Sequence, residues 1–248
     1  MLNIVIPMAG YGSRFVKAGY KLPKPLIEIH YHPMIEYVIK NISPNEECKF
    51  IFICLKEHIE KYNLYERLKL IVPNCEIVEV NQVTEGAACT VLLAEQYIDN
   101  DTPMMIANSD QYINANINEY LKVIQEYDGL IMTMTADNPK WSFVKCDESG
   151  FVTMVREKEV ISNEATVGIY NFKKGSDFVK YAKSMIEKNI RVNNEFYVAP
   201  VYNEMIGDGK KLVTYNIGAE ADGMYGLGIP EDLEIFINDP LSKQVFKD

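Results

Sequence analysis

Four cations and no acidic residue stand between Met1 and Ile27, in a chain whose formal net charge is −10. They are Arg14, Lys17, Lys21 and Lys24, and the first belongs to the loop Pro7-Met8-Ala9-Gly10-Tyr11-Gly12-Ser13-Arg14-Phe15. Positive charge gathered at one glycine-bearing loop of an acidic protein is suited to a small, highly charged anion, with a polyphosphate as the obvious ligand. Glycine removes the Cβ that would hold an anion away from backbone N–H groups, and arginine adds a planar fork of donors. Two familiar phosphate devices do not fit. A dinucleotide fingerprint needs a third glycine where Phe15 stands, and no helix pattern begins there. A P-loop needs G-K-[ST] after its glycines, and none follows. For the loop alone, a plain turn with glycines at positive φ and Arg14 on the surface is the alternative. Ten residues beyond Arg14, Pro23-Lys24-Pro25-Leu26 sets another cation between two prolines that restrict its backbone. Lys17 and Lys21 read as solvated loop charges. Asp110 follows the apolar run Met104 to Ala107. That places a carboxylate at the carboxyl edge of a sheet, where α/β proteins bind ligands, and its hard oxygens suit Mg²⁺.

The elements that must position these groups are legible as periodicity. Apolar runs of strand length occur at Ile4 to Pro7, Lys49 to Leu55, Glu76 to Val80, Met104 to Ala107 and Gly129 to Thr135. Between them, Pro33 to Asn41, Glu57 to Ile71 and Gly86 to Tyr97 carry apolar residues at spacings of three and four, the mark of helices burying one face. This alternation predicts an α/β fold, Rossmann-like, with a mixed, mainly parallel sheet and helices on both faces. After about residue 137 the texture changes. Ser142 to Cys146, the turn Asp147-Glu148-Ser149-Gly150 and Phe151 to Arg156 read as a small antiparallel appendage. Ala165 to Phe172 is a further strand, and Ser176 to Lys188 a helix. Asn194 to Ile206 reads as another helix that Pro200 would kink or break. Leu212 to Ile217 is the last strand, before a helix opening at Pro230-Glu231-Asp232. We expect one domain over residues 1–248, with a nucleotide-binding half (1–137) and an acceptor-binding half (138–248).

Composition narrows the class. With 48% hydrophobic and 24% charged residues the chain reads as an ordinary soluble globular protein. A pI near 4.9 argues against nucleic acid or an anionic membrane as partner, since both need broad basic surface. Five cysteines, odd in number and without C-x-x-C, argue against a disulfide framework and fit a reducing compartment. No apolar stretch reaches the eighteen residues that a membrane span requires, and the amino end reads as strand rather than leader, so a cytoplasmic protein is expected. His30 and His32 flank Tyr31 in a strand-turn without a third ligand, which is not a zinc site. Trp141 and Tyr170 read as core aromatics.

The order of these segments resembles the NTP-transferase family, the nucleotidyltransferases that join a nucleoside triphosphate to a sugar phosphate or related phosphate. The family's A-G-x-G-x-R-F and P-K-P-L stand here as Ala9 to Phe15 and Pro23 to Leu26. Gln82-Val83-Thr84-Glu85-Gly86-Ala87-Ala88 is similar to its nucleobase segment. Asn108-Ser109-Asp110 is similar to its G-D metal motif, with Ser109 in place of glycine. Glu157-Lys158 with Ala165 to Tyr170, Asn194 to Tyr197, and Gly228 to Leu233 match later blocks. The likeness runs from about residue 2 to 236, in a short form without a carboxyl-terminal extension.

The resemblance implies roles. A phosphate oxygen of the acceptor attacks the α-phosphorus of the triphosphate and expels pyrophosphate, so positioning and charge neutralisation carry the catalysis. Arg14, Lys24 and Asp110 become the catalytic candidates, with Arg14 bridging the leaving phosphates and Lys24 supplying a point charge. Met8, Ala9, Gly10, Gly12, Ser13, Gln82, Glu85, Gly86 and Ser109 are implied around the nucleotide, Gln82 and Gly86 at the base. Lys158, Glu157, Glu195 and Gly168 are implied around the acceptor. Mg²⁺ is the implied cofactor, on Asp110. The family's second metal aspartate falls on Gly226 here, and Asp222 is the nearby substitute. The implied partners are a nucleoside triphosphate, with CTP, UTP or dTTP favoured by analogy, and a phosphorylated small molecule, for a surface polysaccharide precursor. Association into a homo-oligomer stays open. Two rivals are a glycosyltransferase consuming a nucleotide sugar, which would carry D-x-D where Ser109-Asp110-Gln111 stands, and a non-catalytic nucleotide-binding regulator.

Overall fold

A computed structural model describes residues 1–247. In chain order its strands are β1 (Leu2–Met8), β2 (Glu28–Ile29), β3 (His32–Pro33), β4 (Cys48–Leu55), β5 (Glu76–Val80), β6 (Met104–Ala107) and β7 (Gln111–Ile113). They continue with β8 (Gly129–Thr135), β9 (Ser142–Cys146), β10 (Val152–Glu157), β11 (Glu164–Phe172), β12 (Leu212–Glu220) and β13 (Gly223–Gly226). The helices are α1 (Ser13–Lys17), α2 (Met34–Ile42), α3 (Lys56–Tyr62), α4 (Leu64–Ile71) and α5 (Ala87–Leu92). After them come α6 (Glu95–Ile98), α7 (Ile117–Val123), α8 (Gly175–Glu187), α9 (Val201–Gly207) and α10 (Pro230–Asn238).

Eleven strands form one mixed sheet in the order β5-β4-β1-β6-β11-β8-β12-β13-β7, with β9 pairing β11 and β10 pairing β9. Strands β5, β4, β1 and β6 are mutually parallel, as the βα alternation of the first half requires. Strand β11 comes from the second half yet lies antiparallel between β6 and β8, so the two halves share one sheet. Strands β2 and β3 make a separate antiparallel pair. The architecture is the expected α/β one.

The inner parallel strands β1, β4 and β6 are buried on both faces, and their alternation divides the core. Val5, Ile51, Ile53 and Ile106 point to the side covered by α5, α8 and α9, whereas Ile4, Ile6, Phe52 and Met105 point to the side covered by α2, α4 and α7. The stripe of α2 that meets the sheet is Ile35, Val38, Ile39 and Ile42.

The local departures have local causes. A short helix, α1, does open beyond the glycine loop, its N-cap being Gly12 at φ +61, too brief to leave a periodic pattern. The helix expected over Glu57 to Ile71 is two, broken at Asn63 in the left-handed region (φ +53). The helix expected over Gly86 to Tyr97 divides likewise into α5 and α6. Residues Asn194 to Ala199 are not helical: only Val201–Gly207 is, because Asn193 and Asn194 take positive φ and Pro200 cannot accept continuation from a preceding turn. The strand over Leu212 to Ile217 continues to Glu220. Strands β7 and β13 went unread, since three- and four-residue strands carry too few side chains to show alternation.

Candidate active site

Two adjoining cavities open where β1 and β6 end, and Ala87, Asn108 and Asp110 line both. The smaller, of about 320 Å³, takes Ala9 and Gly10 from the loop after β1, Lys24, Thr84 and Gly86 before α5, Ser109, and Glu195. The larger, of about 360 Å³, takes Arg14, Gln111, Trp141, Glu157, Lys158 and Gly168 among others.

Lys24 and Asp110 meet at the boundary. The Lys24 ammonium donates to Asp110 Oδ2 at 2.6 Å, with the side chains 25% and 22% exposed. Pro23 and Pro25 are buried on either side of Lys24, and a 3₁₀ turn over Lys24–Leu26 fixes its direction. Asp110 follows β6 as expected, and its backbone carbonyl accepts the Leu227 N–H at 2.8 Å. That bond ties it to the segment joining β13 to α10. Gly10 has open space where a Cβ would project, so its backbone is free to meet a ligand.

Gly86 lies at φ +136, and a Cβ there would collide with the backbone of Phe196. The Phe196 N–H donates to the Glu85 carbonyl at 2.8 Å and the Ala88 N–H to the Phe196 carbonyl at 3.0 Å. This contact docks the non-helical Asn194-Glu195-Phe196 segment onto the smaller cavity, with Arg191 reaching Glu85 at 3.2 Å. Glu195 therefore faces the Lys24 side rather than the larger cavity. The Gln82 side chain is exposed and lines neither cavity, and Glu85 is turned to Arg191. Met8 is packed in the core behind the loop, Gly12 lies against the Lys24 side chain, and Ser13 is exposed.

In the larger cavity, β11 carries an irregularity between Thr166 and Tyr170, with Gly168 at φ +80 in its centre. A Cβ on Gly168 would sit inside the Asn108 amide and the Gln111 side-chain carbonyl. Only glycine lets these two amides pack on the strand. Glu157 accepts the Ser142 hydroxyl, and burial pushes its carboxyl above the ordinary range. The Lys158 ammonium donates to the Tyr197 hydroxyl at 2.7 Å, a bond that raises its pKa. Lys158 takes φ +57, which turns its side chain away from the course of β10.

Asp222 and Asp110 are not brought together. Asp222 is exposed in the turn between β12 and β13 and lines neither cavity. The carboxylate delivered instead is Asp232, from the first turn of α10. An ideal Cβ on Gly226 would lie 3.2 Å from Asp232 Oδ2, and one on Gly228 2.7 Å from Asp110 Oδ2. The bare glycines make room for both acids. Burial raises the Asp232 pKa, opposed by the charges of Lys140 and Arg14. Sequence reasoning missed Asp232, although its position within the Gly228 to Leu233 block was the available signal. It also missed Gln111 and Asn108; Trp141 packs against the core as expected and also lines the larger cavity. Arg14 faces that larger cavity, while Lys24 faces the smaller.

A mixed sheet with charged side chains collected beyond the carboxyl ends of its parallel strands defines an α/β protein with a crevice at the place where such sheets bind ligands. Residues 4–217 match the nucleotidyl transferase family, and the chain belongs to it. The bifunctional protein GlmU of Methanocaldococcus jannaschii is 25% identical over 176 residues, covering 70% of this chain and 40% of that protein. The mannose-1-phosphate guanylyltransferase catalytic subunit beta of Drosophila melanogaster is 25% identical over 197 residues, covering 75% of this chain and 52% of that one. The chain thus spans about half or less of the curated relatives it matches. Among solved structures, the nucleoside-diphosphate-sugar pyrophosphorylase of Vibrio cholerae RC9 superposes with a TM-score of 0.83 at 27% identity, covering 95% of this chain and all of that one (100%). The inositol-1-phosphate CTP transferase of T. maritima shares the fold, with a TM-score of 0.76 at 15% identity over 98% of this chain and 94% of that one. Among the described residues no helix is long and apolar enough to cross a membrane.

Proposed function

We propose that the protein transfers the nucleoside monophosphate of a triphosphate to a phosphorylated small-molecule acceptor, a sugar 1-phosphate or similar, and releases pyrophosphate. The observation that carries this reading is the meeting of two cavities at one Lys24–Asp110 ion pair. The smaller holds the triphosphate between Gly10, Lys24 and Gly86, and the larger holds the acceptor between Gly168, Glu157 and Lys158. The acceptor's phosphate oxygen then approaches the α-phosphorus at Asp110, the P–O bond to the pyrophosphate breaks, and the leaving charge falls on Lys24. Lys158 and Lys140 offset the second anion. No base is required, because the nucleophile is already a phosphate oxyanion.

The donor set fits Mg²⁺. Asp110 and Asp232 offer hard oxygens beside two glycines, and among the described residues no group of three or more His, Cys, Asp or Glu side chains could hold an ion unaided. The nucleotide's phosphates and water would complete the coordination. When bound, the ion neutralises phosphate charge and orients the reacting oxygens. We place the protein in the cytoplasm, making a nucleotide-linked precursor for a surface polysaccharide, with a pyrimidine triphosphate as donor; this rests on analogy within the family. Mannose 1-phosphate, named for the Drosophila melanogaster relative, is a phosphorylated sugar of the kind proposed. A matrix of four triphosphates against phosphorylated sugars, cyclitols and amino alcohols, scored for pyrophosphate, tests the proposal. Release from a matched pair supports it. Hydrolysis of a nucleotide sugar with no pyrophosphate from any pair would favour a glycosyltransferase instead.

A further inference from the structure

Three segments distant in sequence bring charge to one rim of the larger cavity. Lys140 comes from the turn before β9, Glu220 from the end of β12 and Asp232 from the first turn of α10. The Lys140 ammonium donates to Glu220 Oε1 at 2.5 Å and stands 3.9 Å from Asp232 Oδ2. Lys140 and Asp232 line the cavity, whereas Glu220 lies outside it. Both members of the ion pair are anchored. The Lys140 backbone N–H donates to Asn138 Oδ1 at 3.0 Å, and Nζ lies 4.7 Å from the centre of the Trp141 ring. Glu220 is in register with Met224, which lines the cavity. The Ala219 and Ala221 N–H groups close the turn around it on the Asp222 and Met224 carbonyls.

At 3.9 Å the Lys140 ammonium is about 1 Å short of a hydrogen bond to Asp232. A flexible lysine stem spans such a gap by rotating its own bonds, and the Glu220 carboxylate opposes the move. The other acidic group of the site shows the alternative, since Asp110 is closed by Lys24 at 2.6 Å. An ammonium in direct contact takes a lone pair that a hard cation would use, and repels that cation. We propose that Glu220 is a positioning residue, which draws Lys140 off Asp232 and leaves the Asp232 carboxylate open to the divalent ion. This rests on the Mg²⁺ placement proposed above. Glu220 acts through Lys140, and its own oxygens stay outside the coordination. The charge-assisted bond at 2.5 Å is the stronger of the two contacts, so the ammonium keeps to the rim of the cavity.

Metal binding, read without turnover, tests this. Mn²⁺ is titrated into the protein with each of the four triphosphates in turn, no acceptor being added, and the ternary complex is followed by paramagnetic resonance. Glu220→Gln keeps the shape and removes the charge, which frees Lys140 to pair with Asp232. It should weaken Mn²⁺ binding about tenfold. Lys140→Met should bind Mn²⁺ within about twofold of the wild type, or more tightly. The double variant should match Lys140→Met within about twofold, because the intruding ammonium is gone. The two side chains are 38% and 39% exposed, so neither substitution threatens the fold. An equal loss from Glu220→Gln in both backgrounds overturns the inference, since the carboxylate's own charge would then be what attracts the ion. So does a Glu220→Gln protein that binds as the wild type does, or a Lys140→Met protein that loses as much as Glu220→Gln. Those results leave Asp232 standing as a ligand. Unchanged Mn²⁺ binding by Asp232→Asn, or no ternary complex with any triphosphate, removes the metal placement and this inference with it.

Discussion

Lys24→Met should separate chemistry from stability. The Lys24–Asp110 pair is close, at 2.6 Å, with about a quarter of each side chain in solvent (25% and 22%). Unit charges at such range attract by several kcal/mol at an effective dielectric of about 20. Desolvation and side-chain ordering offset most of that, and partly exposed pairs are worth about 1 kcal/mol or less. Among the described residues the ammonium bonds only Asp110, and the turn is held by backbone bonds from Leu26 to Pro23 at 2.8 Å and from Ile27 to Lys24 at 3.1 Å. Urea denaturation should therefore move by at most about 1 kcal/mol. Turnover is another matter. A charge positioned for the departing pyrophosphate contributes about 10²–10³ in kcat, or about 2.7–4 kcal/mol. Pyrophosphate release with both substrates saturating measures it. A loss confined to the KM of the triphosphate, with kcat intact, would make Lys24 a uniform binder and refute the reasoning. An unfolding loss above about 3 kcal/mol would refute it differently, by showing the pair to be structural.

Glu157→Gln should stabilise the protein near neutral pH. Burial raises the folded-state pKa of Glu157, so the carboxylate costs stability above that pKa, and the cost vanishes as pH falls below the unfolded value. Melting curves should show the variant's advantage at neutral pH shrinking to nothing in acid, while its acceptor KM rises; an advantage that grows in acid would contradict the burial argument. Asp232→Asn should raise the Mg²⁺ concentration for half-maximal activity, and that for metal binding followed by Mn²⁺ paramagnetic resonance with nucleotide present, at least about tenfold. Asp222→Asn should leave both unchanged, and the reverse pattern would restore Asp222 to the site. Gly86→Ala, at φ +136 against the Phe196 backbone, should cost about 3 kcal/mol or more in chemical denaturation. Gly10→Ala, with nothing within 4 Å, should cost less than about 0.5 kcal/mol yet weaken triphosphate binding. Equal costs would undo the distinction between the two glycines.

What the chain alone determined is what repeats over short spans. Alternation and three-four spacing named the strands of the parallel half and most of the helices, because each residue's burial there follows from its neighbours within a turn or a pleat. The same locality located Asp110 just beyond the end of β6, the Ser142 to Arg156 hairpin, and Lys24 held between prolines. The polyphosphate reading followed from charge set against an acidic background. What tertiary structure decided depends on register between distant segments. Lys24 and Asp110 stand 86 positions apart, and no local pattern states that they touch. Asp222 lies closer in sequence to Gly226 than Asp232 does, but β13 carries it away while α10 folds Asp232 back over the two glycines. The Asn194 to Ala199 segment has an apolar pattern fit for a helix, and its docking on Glu85 to Ala88 holds it open instead. That the Gln111 and Trp141 side-chain N–H groups are buried without a partner shows only in the folded chain, since satisfaction of a donor is a property of the space around it.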